Sequence, residues 1–245
     1  MTGEAIINPR RHPGEEVTER VVLTFAPPDY RLLCRLAQVQ EPSRQIWDCR
    51  FQKGSWQGQP LTVVAPAVGA PYAVIVMENL IARGARLFLA LGWCGALLPQ
   101  VKMGGLVLPT TARAGEGTSR YYGREGDWAR PHPGLCGKLR AQIGQAGVPW
   151  HAGPVWTTDA FYRETVDLVR HCQKEDILGI EMEMAALFAV GAFRQVPVAG
   201  LLVVSDELSS LEWRVEYRSP AFLRAREEAA RLILDAAAAW SLNDA

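Results

Sequence analysis

The chain has no surplus of either charge: Lys plus Arg and Asp plus Glu both number 26 in 245 residues. Without a net field it has nothing with which to recruit nucleic acid or an anionic membrane, so neither partner is expected, and any anion site must be local. Cysteine is sparse and scattered. The 5 residues, Cys34, Cys49, Cys94, Cys136 and Cys172, are odd in number and contain no CxxC pair, which argues against a zinc site, a redox pair or a disulfide scaffold. They read as reduced, mostly buried thiols of a cytoplasmic protein. The opening segment MTGEAIINPRRHPGEEVTER lacks an apolar core, so residues 1–20 are expected to be a flexible arm and not a signal peptide or a membrane span. Internal repeats and low-complexity tracts are also missing. What is present is a 49% hydrophobic composition, enough for one substantial α/β domain over residues 21–245 and too little chain for two.

The densest chemistry lies between Ile177 and Asp206, ILGIEMEMAALFAVGAFRQVPVAGLLVVSD. A short apolar run, Ile177 to Ile180, ends in Glu181-Met182-Glu183, and the pattern then changes to a helix over Met184 to Phe193. Pro197 to Val204 is nearly unbroken in apolar residues, as befits a parallel strand covered on both faces, and it stops at Ser205-Asp206. The result is a strand, helix, strand unit with acids at the carboxyl ends of both strands, where open α/β sheets bind ligands. Two carboxylates flanking a methionine make a compact set of acceptors for a diol. The same residues also fit a plainer role, since acids at the start of a helix meet its unpaired N–H groups and positive dipole end, and Asp206 could be a cap.

Around this unit the elements follow in order. Val21 to Phe25 reads as a strand, Tyr30 to Leu36 as a helix, Arg44 to Trp56 and Pro60 to Ala65 as a strand pair, and Tyr72 to Ala82 as a helix after Gly69. Ala85 to Leu91 is a further strand, with Gly92-Trp93-Cys94-Gly95 expected to bend the backbone at its end. Gly105 to Pro109 is a strand, Thr110 to Pro133 a long polar segment, Leu135 to Ala146 an outer helix, and Trp150 to Thr157 a strand. Glu207 to Pro220 forms a polar flap and Ala221 to Trp240 the closing helix.

Glu181-Met182-Glu183-Met184-Ala185-Ala186 followed by a buried strand and Ser205-Asp206 resembles the signature of the nucleoside phosphorylase I family, which includes purine nucleoside phosphorylases, uridine phosphorylases and methylthioadenosine/S-adenosylhomocysteine nucleosidases. Gly69-Ala70-Pro71, Gly92-Trp93-Cys94-Gly95 and Thr157-Thr158-Asp159-Ala160-Phe161-Tyr162 match in the family's order, and the resemblance spans about Val21 to Ala238. It implies a single three-layer α/β/α domain with a mixed central sheet and an enzyme that cleaves the N-glycosidic bond of a nucleoside. Glu183, with Met182 and Glu181, would hold the ribose hydroxyls. Asp206, oriented by Ser205, would protonate the base. Phe161 would stack on the base, with Cys94 and Gly95 beside it. Thr165 and Asp167 stand nearest to where uridine phosphorylases carry the Gln and Arg that read uracil, so a purine is expected. No metal or organic cofactor is implied, only phosphate as a possible co-substrate. A homo-oligomer, dimer or hexamer, is implied, with Arg44, Arg50 or Lys53 as candidates to complete a neighbour's pocket.

The departures concern phosphate. Family phosphorylases carry a Gly-Asp-Pro-x-Arg turn where this chain has Phe25-Ala26-Pro27-Pro28-Asp29, an Arg where it has Ala90, and a small hydroxyl residue where it has Trp93. A buried dianion needs fixed donors and positive charge, which Ala and Trp do not supply. Asp29, Arg31, Gly69 and Trp93 are therefore candidates for a rebuilt phosphate site or for a water site of the nucleosidase kind, with Asp29 near the position of the nucleosidases' water-activating carboxylate. Read without the resemblance, Asp29 is a helix-start acid, Arg31 an exposed helical arginine, Gly69 a turn glycine and Phe161 a core residue. The alternatives to phosphorolysis are hydrolysis and a non-catalytic nucleoside binder.

Overall fold

The computed structural model describes residues 5–10, 14, 16–123 and 126–242. In chain order it contains β1 (Arg20–Thr24), α1 (Pro27–Leu36), β2 (Arg44–Ile46), β3 (Cys49–Trp56), β4 (Gln59–Ala65), α2 (Ala70–Ala82), β5 (Leu87–Ala96) and β6 (Leu106–Gly115). Then follow β7 (Trp128–Ala129), α3 (Pro133–Ile143), β8 (Trp150–Thr158), α4 (Val166–Lys174), β9 (Gly179–Glu181), α5 (Met184–Arg194), β10 (Val198–Glu207), β11 (Arg214–Val215) and α6 (Pro220–Ala239).

The apolar runs alternate their side chains between the two faces of one mixed sheet, and that alternation creates the layers. On β5, Phe88 and Ala90 pack into one apolar cluster, while Leu87, Leu89 and Leu91 pack into another. On β10, Val198, Leu202 and Val204 join the first, and Ala199, Leu201 and Val203 the second. The first cluster is covered by α2 and α5, the second by α1, α3 and α6. The expected three-layer α/β/α arrangement with a mixed sheet is thus the one observed.

The strand order is β11-β10-β6-β8-β9-β5-β1-β4-β3-β2, with β7 on β6, and β10 also pairs with β5. That extra pairing closes β5, β10, β6, β8 and β9 into a ring. β5 runs parallel to β1 and β10 and antiparallel to β9. Its end does not bend at Gly92–Gly95 as expected, because β10 pairs along it as far as Ala96 and β9 pairs with Gly95 and Ala96. The strand therefore carries Trp93, Cys94 and Gly95 straight into the site.

Other differences have similar tertiary causes. The strand expected over Arg44 to Trp56 breaks at Trp47, which adopts φ 56°, giving the β2–β3 hairpin. The start of the expected polar segment, Thr110 to Gly115, is strand, since β6 stays paired with β8 through Gly115, and β7 adds Trp128–Ala129; Arg124 and Glu125 of that segment lie outside the described residues. Helix α4 was not expected from the sequence. Thr165 caps it through Leu168 N at 3.3 Å, and Val169 and Cys172 bury its inner face. Of the expected arm, residues 1–4, 11–13 and 15 lie outside the described residues, and its end already belongs to the body: Val17 N donates to Arg83 O at 3.2 Å and Thr18 N to Thr62 Oγ1 at 3.0 Å. No helix among the described residues is long and apolar enough to cross a membrane.

Helix α5 is buried along nearly its whole length and fixes the Glu181–Glu183 turn, with Phe188 only 1% exposed. Phe188→Ala should therefore lower unfolding stability by about 3–5 kcal/mol, read by urea denaturation. A cost below about 1 kcal/mol would mean that the space under α5 collapses without consequence.

Candidate active site

A cavity of about 360 Å³ opens where β5, β9 and β10 end together. Strand β9 delivers Glu181 to the N-terminus of α5, and its carboxyl turns back on that helix. Oε2 accepts from Glu183 N at 2.6 Å and Met184 N at 2.8 Å, and Oε1 accepts from the Thr157 hydroxyl. Thr157 Oγ1 in turn accepts from Ala185 N at 2.9 Å. Glu181 thus satisfies unpaired N–H groups of the first turn of α5, as the plain helix-start reading expects, and it also lines the cavity. Glu183 accepts from Gly69 N at 2.6 Å. Gly69 sits at φ +85°, a conformation that residues with a Cβ adopt only at a cost, and so turns its N–H towards the carboxyl. Burial raises both glutamates above the usual carboxylate range. The Glu181 charge raises Glu183 further, whereas Thr157 and two backbone N–H groups pull Glu181 back.

The pairing of β10 with β5 shifts register between Val204 and Asp206, setting Asp206 opposite Gly95. Asp206 Oδ1 accepts from Ser205 Oγ at 2.6 Å and Oδ2 from Trp213 Nε1 at 2.9 Å. Ser205 Oγ also lies 3.2 Å from the Cys94 carbonyl oxygen. A Cβ on Gly95 would come within 2.5 Å of Leu208 Cδ1 and 2.9 Å of Asp206 Oδ2, so glycine leaves the room that the acid occupies. Burial raises the Asp206 carboxyl above its ordinary range, against the pull of its two donors. Met182 and Phe161 complete the wall with Trp93 and Cys94, and Phe161 meets the Trp213 ring edge-on at 5.7 Å.

The four candidates for a phosphate or water site separate. Of these only Trp93 lines the cavity. Asp29 is fully buried at the start of α1, where Oδ1 accepts from Arg226 Nε and Oδ2 from Trp93 Nε1, each at 2.6 Å. Both oxygens are engaged within the protein, and Asp29 does not face the cavity. Burial raises its pKa, with Arg226 and then Trp93 opposing. Trp93 is held by the Phe222 ring at 5.1 Å, the Tyr217 ring at 5.6 Å and the Arg226 guanidinium at 5.6 Å. Arg31 lines a different groove, with Arg35 and Arg226 between α1 and α6, and Gly69 contributes its N–H to Glu183 rather than a surface to the cavity. Ala90 is buried in the cluster under α2 and α5. Arg44, Arg50 and Lys53, on β2 and β3, do not line the cavity, and among the described lining residues there is no Arg, Lys or His.

A family model described as the phosphorylase superfamily matches residues 19–238. The chain belongs to that superfamily. It is 30% identical over 189 residues to a guanosine phosphorylase of Halorubrum lacusprofundi, covering 76% of this chain and 78% of that one. It is also 30% identical over 162 residues to a DeoD-type purine nucleoside phosphorylase of Jannaschia sp., covering 65% and 69%. Among solved structures, uridine phosphorylase from Vibrio fischeri superposes with a TM-score of 0.82 at 24% identity, over 96% of this chain and 99% of that one. Purine nucleoside phosphorylase from Toxoplasma gondii, in complex with immucillin-H, superposes at 0.83 and 21% identity, over 97% and 98%. These two likenesses establish the shared fold.

Three residues of this superfamily member escaped the sequence reading as parts of the site: Arg226, Trp213 and Glu164. Glu164 lines the cavity, and its side chain has no hydrogen-bond or ion-pair partner among the described residues. Burial, and then the Asp206 charge, pushes its carboxyl from 4.5 to about 7. A carboxyl that holds its proton more tightly when folded costs stability as pH rises from its unfolded value through its folded one. Glu164→Gln, which cannot titrate, should therefore raise Tm at about pH 8 and leave it nearly unchanged at about pH 4. Equal shifts at both pH values in thermal scans would show that burial of this carboxyl carries no such cost.

Proposed function

We propose that the chain cleaves the N-glycosidic bond of a purine nucleoside, as a cytoplasmic homo-oligomer. The observation that carries this reading is the convergence of Glu183 and Asp206 on one cavity, with Asp206 held above the ordinary carboxyl range. Breaking the bond sends its electron pair to the base and leaves a cation-like ribosyl group. Glu183 and Met182 hold the 2′ and 3′ hydroxyls, and the glutamate charge favours the developing cation. Asp206 gives its proton to N7, so the base leaves neutral. Phe161 supplies a flat face for the base. The Halorubrum and Jannaschia relatives are named for purine substrates, in keeping with this choice.

The new bond at C1′ can come from a phosphate oxygen, as in the named relatives, or from water. One observation favours water: the cavity is lined by Glu164, Glu181, Glu183 and Asp206 and by no cationic side chain among the described residues, while the nearby Arg226 is paired with Asp29. A dianion entering that set meets repulsion without a counter-charge. Phosphorolysis then depends on a second copy of the chain bringing Arg44, Arg50 or Lys53 to the cavity mouth.

The deciding assay incubates purine nucleosides with and without phosphate and identifies the sugar product. Ribose formed equally under both conditions establishes hydrolysis. Ribose 1-phosphate with saturable phosphate dependence establishes phosphorolysis, and Ala90→Arg should not be needed for it. Absence of cleavage under both conditions refutes the reading. Asp206→Asn should lower kcat by about 100-fold with little change in KM, because the amide still hydrogen-bonds but cannot deliver a proton. Glu183→Gln should raise KM as well as lower kcat, since it removes a charged acceptor from the ribose.

A further inference from the structure

Residues 207–220, expected as a polar flap, contain a hairpin whose loop runs from Leu208 to Trp213. Strand β11 runs back antiparallel to the end of β10, with Val215 opposite Asp206 and Arg214 opposite Glu207. The return places the Trp213 ring against the edge of Phe161 and its indole N–H on Asp206 Oδ2 at 2.9 Å. Trp213 is 56% exposed, so ring burial alone does not explain its placement. Its one polar atom is directed at the carboxyl that the cleavage reading makes the acid.

A proton donor is limited by the charge it leaves behind. Here that charge would form beside Glu164, Glu181 and Glu183, with no cation lining the cavity among the described residues. The donors already in place for it are the Ser205 hydroxyl on Oδ1 and the Trp213 indole on Oδ2. They are not equivalent. A hydroxyl can rotate and accept from a protonated carboxyl, whereas an indole N–H can only donate, so it favours the ionised form.

We propose that Trp213 is a positioning residue for glycosidic cleavage: acting through Asp206, it stabilises the carboxylate that appears as the proton passes to the departing base. The proposal rests on the purine-nucleoside reading above. The titratable groups around Asp206 are Cys94 from β5, Glu164 from the segment before α4 and Tyr217 from beyond the hairpin. None of them is a cation that could replace Trp213 as a stabilising partner.

The test is Trp213→Phe, which keeps an aromatic ring beside Phe161 and removes the N–H together with the five-membered part of the indole. With the nucleoside as substrate, kcat should fall about tenfold with KM unchanged. Because the lost bond favoured the ionised form, the alkaline limb of the kcat profile should move to higher pH. A second readout needs no substrate. The indole ¹⁵N–¹H resonance that disappears in Trp213→Phe should titrate with pH in the unaltered protein and stay flat in Asp206→Asn. Superimposable kcat profiles for Trp213→Phe and the unaltered protein overturn the proposal. So does a rise in KM at constant kcat, which would assign Trp213 to substrate contact, or an indole resonance that does not titrate. If the unaltered protein cleaves no purine nucleoside, the functional reading fails and takes the catalytic role with it, while the indole titration still decides whether Trp213 and Asp206 are linked.

Discussion

The carboxyl of Glu181 joins three elements at one point. Thr157 from β8, the end of β9 and the first N–H groups of α5 all meet on it or on the Thr157 hydroxyl. This buried knot sets the start of α5 and hence the direction of Glu183, whose other tie, Gly69 N, comes from the entry to α2. A buried carboxylate is costly unless its oxygens are satisfied, and the three donors found here are what let an acid sit under the sheet end. Moving Glu181 would strand those N–H groups and release Glu183 together, so the helix cap and the site wall are one structure.

Much of this was legible in the chain, and the limits follow from distance along it. Short apolar and β-branched runs located β1, β4, β5, β8 and β10, and the change of pattern after Glu183 located α5, because these signals lie within a dozen residues. The acids at the ends of β9 and β10 were visible as a pair for the same reason. Arg226 was not, since nothing in a long Ala-rich helix marks it as the partner of Asp29, far away on α1. Trp213 and Glu164 were hidden in the same way: one lies in a turn-rich stretch and the other next to an aromatic pair, and only the folded chain brings both to Asp206. The straight run of β5 through Gly95 was missed because glycines near a strand end read as a bend, whereas strand partners on both edges hold the backbone extended.

The electrostatics of the site follow from what surrounds it. Glu164, Glu181, Glu183 and Asp206 are all pushed towards their protonated forms chiefly by burial. An acid-rich cavity of this kind suits a ligand that offers hydroxyl and N–H donors, and it suits proton delivery near neutral pH better than a solvated carboxyl would. A cationic side chain, Arg226, stands against Trp93 and is matched by Asp29.

That Asp29–Trp93–Arg226 arrangement also constrains what the chain can become. Its members come from α1, β5 and α6, and each satisfies another: remove the arginine and a fully buried carboxylate loses its charge partner, remove the carboxylate and a guanidinium is left facing aromatic rings. Freeing Arg226 for the cavity by replacing Asp29 passes through a form that is less stable by several kcal/mol. For mutation and selection the triad works as a ratchet, easy to keep and hard to leave one residue at a time.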